Sequence, residues 1–326
     1  AAKNEYQDNS IDRVEVFRDY FARSVNSRGW CYYYLAKIND QTEPQEELLQ
    51  RARKKFAVSL ANNEKNKDLE LDSYAGLATC LMEREKYFTA SGLLDSLQFD
   101  PEEISSDTFR RITYLMVKSS AEIKSNIDTE NYAKRYMDSL SDAYDYNETD
   151  NYIVSSRLKA LARLSRKNGD NPYYQSYLRR FKEECDKAFS RGNEIAVTAG
   201  LIMEKLGMDI GQKNKIKFEL ARVSVMIGNR SYDKAKKSLG EIDLESIKSA
   251  NRLQRAAKLW NSLSSGYQNG TEEWIECNYK RIECYMLDGK QKKADRLVED
   301  IIAEHGEQIP QIWIDRFKII VREAGS

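Results

Sequence analysis

One histidine, four prolines and no long apolar run are what this chain of 326 residues has least of. A lone histidine has no second imidazole with which to share a metal, and zinc sites need several His or Cys ligands at close spacing. No apolar run approaches the roughly 20 residues that cross a bilayer, so no membrane span is expected. Charge of one sign is missing too. The 52 basic and 52 acidic residues leave no net field to draw the chain to nucleic acid or a lipid surface. The five cysteines, Cys31, Cys80, Cys185, Cys277 and Cys284, are scattered and odd in number. They argue against a disulfide framework and favour a reducing compartment. The start at Ala1 without Met also fits an exported mature form or an excised fragment. No phosphate-binding Walker loop, GxGxxG or GxSxG occurs. What is present is 41% apolar and 32% charged residues with 20 tyrosines, the composition of a soluble, helix-rich protein.

An internal repeat emerges when segments are aligned on one alanine. Residues 87–97 read YFTASGLLDSL, 130–140 ENYAKRYMDSL, 232–242 YDKAKKSLGEI and 291–301 QKKADRLVEDI. The shared pattern is a small residue, a large apolar one four later and another three beyond. It comprises Ala90/Leu94/Leu97, Ala133/Met137/Leu140, Ala235/Leu239/Ile242 and Ala294/Val298/Ile301. Ala52/Phe56 shares its first half, with Ser59 breaking the last place. Spacing of i, i+4, i+7 is one face of an α-helix, and the alanine permits a close neighbour. Most of these stripes follow another helical pattern across a short turn, as in 71–86 before 87–97. Gly228-Asn229 reads as the helix stop before 232, and Gly289 as the turn before 291.

The coarse reading gives roughly sixteen helices and no convincing strand. Their approximate spans are 11–25, 28–39, 44–61, 69–84, 86–98, 101–124, 129–144, 150–167, 172–190, 193–207, 212–228, 231–240, 244–265, 271–288, 290–304 and 309–323. The breaker-rich NGDNP at 168–172 is the best hinge candidate. Helices resume at once, so residues 1–326 read as a single all-α solenoid of antiparallel helix pairs, closed by a capping segment at 309–326.

The pair at 71–101 resembles a tetratricopeptide repeat through Tyr74, Leu77-Ala78, Leu81, Tyr87, Ala90, Leu94, Leu97 and Pro101. The pair at 278–306 is similar through Ile282, Tyr285, Gly289, Ala294, Val298 and Ile301. Alanine-to-alanine spacings of 38, 43, 102 and 59 depart from the family's period of about 34, and 150–210 fits poorly. The resemblance implies a right-handed superhelix whose concave face holds a peptide or helix of another protein. The role implied is that of a scaffold or adaptor. The family's carboxylate clamp of Lys and Asn would fall on Asp72, Ala75, Thr79, Met82 and Glu83, none of which binds a C-terminal carboxylate. Asp72, Thr79 and Glu83 instead suggest a basic or apolar ligand. Glu276, Tyr279, Lys280 and Glu283 occupy the equivalent face of the last pair.

Chemistry has thinner support. His305 reads as a helix-end cap. Cys277 and Cys284, near Glu276 and Glu283, lack the turn spacing of a zinc site and read as core. Abundant carboxylate pairs single out no acid–base centre, so no enzymatic activity, cofactor or metal is expected. Lys159, Arg163, Arg166 and Lys167 share one side of the 150–167 helix. With Arg179-Arg180 and the tyrosines at 173, 174 and 177 they form the alternative, a basic patch for single-stranded nucleic acid. A regulatory sensor domain attached to an enzyme is a further alternative. Among Tyr32, Tyr33 and Tyr34, set about 100° apart on a helix, at least one must leave the core side.

Overall fold

The computed structural model describes residues 2–38, 44–63, 65–140, 147–166, 172–191 and 193–323. These residues form sixteen α-helices and, among them, no strand. None of the helices is long and apolar enough to cross a membrane. The chain divides into two compact units, residues 1–178 and 179–326. Most of the hinge candidate at 168–172 lies outside the described residues.

The first unit contains α1 (Ala2–Ile38), α2 (Gln45–Asn62), α3 (Lys67–Met82), α4 (Tyr87–Asp95), α5 (Ser106–Glu122), α6 (Asn126–Asp138) and α7 (Glu148–Leu164). Each helix packs on the next, and α1 on α3, α3 on α5 and α5 on α7. That double set of contacts is the stacking of an all-α solenoid, in which odd-numbered helices form one continuous row. The unit boundary falls within α8 (Pro172–Arg191). The second unit continues with α9 (Asn193–Lys205), α10 (Gln212–Gly228), α11 (Tyr232–Gly240), α12 (Leu244–Ser249), α13 (Leu253–Ser264), α14 (Glu272–Leu287), α15 (Gln291–His305) and α16 (Gln311–Glu323). Here α9 packs on α10, α10 on α11, and each helix from α12 to α15 on the next, with α10 and α11 also on α13 and α14 on α16.

The five aligned alanines fall on α2, α4, α6, α11 and α15 and explain how those helices pack. Ala52, Ala90, Ala133, Ala235 and Ala294 are all fully buried. Their partners four residues later, Phe56, Leu94, Leu239 and Val298, are buried with them, and Met137 half so. Ser59, the exception to the pattern, is also fully buried. Its hydroxyl donates to the Ala22 carbonyl of α1 at 3.0 Å, and the Ser73 hydroxyl of α3 lies 3.0 Å from it. A polar atom is tolerated there because it is bonded on both sides.

Six turns share one backbone form. Glu85, Lys124, Gly207, Arg230, Asn251 and Gly289 are left-handed, with φ between 55° and 71°. In each, the following N–H bonds the carbonyl five residues back, as Lys86 to Leu81 and Lys290 to Tyr285. This is the Schellman closure of a helix C-terminus. At the turn before α11 the left-handed residue is Arg230, while Gly228 is still helical.

Helix division differs from the sequence reading at three places, one of them 101–124, which is a short 3-10 turn at Pro101–Glu103 followed by α5. Residues 11–25 and 28–38 belong to one helix, α1, and residue 39 lies outside the described residues. Asn26, which falls in the expected gap, bonds Asp72 across to α3, and Gly29 of the same helix admits the Phe56 ring. Conversely, 244–265 is two helices, because Asn251 takes the left-handed conformation that Asn tolerates.

Candidate functional site

On α3 the three candidate contacts are already engaged. Asp72 accepts from Asn26 Nδ2 at 2.6 Å and from Trp30 Nε1 at 2.7 Å, both on α1. Its other oxygen pairs with Arg111 of α5, whose guanidinium also lies 5.3 Å from the Trp30 ring centroid. The Thr79 hydroxyl donates to its own helix at the Ala75 carbonyl. Glu83 accepts from Tyr33 Oη at 3.1 Å and Lys37 Nζ at 2.8 Å. Burial, with the Glu83 charge and hydrogen bond, pushes the Tyr33 hydroxyl well above its ordinary value. Both carboxylates are therefore neutralised from within. What this face offers outward is the half-exposed heads of Arg111 and Lys37 and the ring of Tyr34, 57% exposed. Of the three consecutive tyrosines, Tyr34 is the one that leaves the core side.

On α14 the four candidates divide. Tyr279 is packing: its ring centroid lies 5.7 Å from that of Trp313 and 6.1 Å from that of Phe317, both on α16. Lys280 and Glu283 pair with each other along the helix at 2.7 Å. Glu276, half exposed, pairs with Lys236 of α11. Nearby, burial raises the Tyr285 hydroxyl, but the hydrogen bonds and charges of Arg281 and Lys293 outweigh it and hold the group below its ordinary value.

The remaining candidates are simpler. Cys277 and Cys284 are fully buried, and burial pushes both thiols up to about 12. His305 stacks edge-on against Trp274 with centroids 5.0 Å apart. Among the described residues no cluster of three or more His, Cys, Asp or Glu is arranged for a metal. Lys159 and Arg163 of α7 and Arg166 just past its end are exposed, with Arg163 within 3.4 Å of Asn126 Oδ1, and residue 167 lies outside the described residues. Arg179 and Arg180 belong to the second unit, and Arg179 faces Glu183 at 4.0 Å.

Two clefts were not anticipated. One, of about 650 Å³, is lined by Val16 and Tyr20 of α1 together with Asn66, Lys67, Asp68 and Glu103. Its polar lining is partly tied up, since Asp68 accepts from the Ser105 N–H and hydroxyl at 3.0 Å and Asn66 bonds Asp19. Another, of about 430 Å³, lies between α10 and the α11–α12 turn, lined by Lys215, Glu219, Arg222, Glu241 and Asp243. Sequence reasoning also passed over the outward apolar residues of α1, Val14, Phe17 and Phe21 among them. Their alternating three- and four-residue spacing was the available signal.

No known protein family matches the chain, and no curated protein is significantly similar to it.

Proposed function

We propose that this chain is a non-catalytic protein-interaction module of the tetratricopeptide type, acting as a scaffold or adaptor that holds a partner peptide or helix across its row of odd-numbered helices. The observation that carries the reading is the ladder Trp30–Asp72–Arg111. It joins α1, α3 and α5 through residues 42 and 39 apart in sequence. A row of this kind brings side chains from distant segments onto one extended surface, which is what a linear partner needs. The internal pairing of Asp72 and Glu83 favours a partner that presents apolar groups to Tyr34 and acidic groups to Arg111 and Lys37, rather than the basic one suggested by the carboxylates alone.

Capture on the immobilised chain, with mass spectrometry of what is retained, tests the reading. A specific partner whose retention falls when Lys37 and Arg111 are both changed to Glu, with helicity kept, supports it. Retention unaffected by that double change removes the row as the binding face.

A second reading, binding of single-stranded nucleic acid, is favoured by one observation, the exposed cations Lys159 and Arg163 on α7 and Arg166 just past its end. It requires salt-dependent retention on a single-stranded ligand. Loss of that retention in a variant with all three changed to Glu is the expected signature, and no retention by the parent chain ends it.

A further inference from the structure

Helix α1 packs on its own unit through Ala22, Val25, Asn26, Gly29 and Ala36, all buried. A different face carries Val14, Phe17, Phe21, Cys31, Leu35 and Ile38, and every one of them is exposed, Phe17 by 69% and Ile38 by 73%. Ser24 and Arg28, also exposed, occupy the two places between. The eight positions alternate by three and four without interruption. That is the a/d seam of a two-stranded coiled coil. It spans residues 14–38, about 37 Å of helix at 1.5 Å per residue. At 100° per residue the seam lies across α1 from Asn26, Trp30 and Tyr33, the side chains that reach α3. It is the open end of the row α1–α3–α5–α7.

We propose that this seam pairs with the same seam of a second copy of the chain, antiparallel, about a two-fold axis at the level of Asn26. The sequence of the stripe selects that occupant. Antiparallel pairing about that point sets Val14 opposite Ile38, Phe17 opposite Leu35 and Phe21 opposite Cys31, so apolar meets apolar throughout. Each pair joins an a position to a d position, as antiparallel coiled coils require. The polar places meet each other, Ser24 opposite Arg28. Parallel pairing in register would instead force Arg28 against Arg28 inside the seam, where like charges repel. The surface is thus complementary to itself under a two-fold rotation, the condition for a closed dimer. It would extend the row of odd-numbered helices into the second copy. The inference goes beyond the binding-module reading and does not depend on it.

Sedimentation equilibrium over micromolar concentrations tests the pairing. The expected mass is twice the 37.8 kDa of the chain. Phe17→Asp with Leu35→Asp, both on exposed seam positions, should weaken association about a hundredfold or more while circular dichroism stays unchanged. A parent chain that remains at the single-chain mass, or a double variant as dimeric as its parent, overturns the proposal. Orientation is read with diamide, which takes two electrons and two protons from a pair of thiols as their S–S bond forms. In Phe21→Cys the oxidised product should be a covalent dimer joining position 21 of one copy to Cys31 of the other. The parent chain should give none, because Cys31 faces Phe21 and the other four cysteines are buried. A Cys31–Cys31 disulfide in the parent chain overturns the antiparallel arrangement.

Discussion

The ring of Phe56 lies where a side chain on Gly76 would have to be, with ring atoms 2.4 Å from the position of its Cβ. Gly29 of α1 meets the other part of the same ring, its Cβ position 2.7 Å away. Phe56, fully buried, is therefore the wedge that sets the distance between α1, α2 and α3.

From this, Gly76→Ala is expected to destabilise the chain by about 1–3 kcal/mol through overpacking. Urea unfolding checks the value. Combining it with Phe56→Leu should cost less than the two changes added together, because the smaller side chain vacates the contested space. Strict additivity would place the clash elsewhere.

The left-handed turns make opposite predictions at different residues. Glu85 and Arg230 carry a side chain at φ 56°, where an L-residue costs about 1–2 kcal/mol. Changing either to Gly should stabilise by about 0.5–1 kcal/mol after the entropy lost by glycine. Gly289→Ala should destabilise by about 1–2 kcal/mol at φ 71°. Thermal unfolding of the three single variants reads the signs directly.

Asp72 holds donors from Asn26, Trp30 and Arg111. Asp72→Ala leaves the Trp30 indole N–H and the Asn26 amide without their acceptor, at an expected cost of about 1–3 kcal/mol. Trp30 fluorescence should shift in the same variant, since the ring loses both its hydrogen bond and its fixed Arg111 neighbour. An unchanged spectrum and unchanged stability would show that the ladder contributes nothing to order.

Alkaline pH should unfold the protein earlier than its tyrosines alone would cause. Burial raises Cys80, Cys185, Cys277 and Cys284 from 9.0 to about 12. The folded chain keeps thiol protons that the unfolded chain releases, so their contribution is complete below pH 9 and is lost as pH rises from there towards about 12. Melting temperature against pH should fall less steeply in Cys277→Ala with Cys284→Ala than in the parent.

The repeated alanines were legible because a helix face records its burial in i, i+4, i+7 spacing, and all five proved fully buried. The Phe56 wedge was not legible. Its partners lie 27 and 20 residues away, at Gly29 and Gly76, and no local pattern shows that a helical glycine admits a distant ring. What engages Asp72 and Glu83 was hidden in the same way. The placement of those two on one face of α3 was readable from their spacing, but the donors that saturate them come from a helix more than forty residues earlier. Arg230 was missed for a different reason. The eye goes to the Gly228 two residues before it, whereas the hydrogen-bond register of the helix end decides which residue must turn.

Those six turns bear on how such a chain can change over time. Each is closed by main-chain bonds, and four of the six place an ordinary side chain at the left-handed residue. The bend thus demands a geometry and almost no particular letter. Kinship among the helical pairs can outlast the spelling that once showed it, surviving as a common torsion angle in segments whose residues have drifted apart.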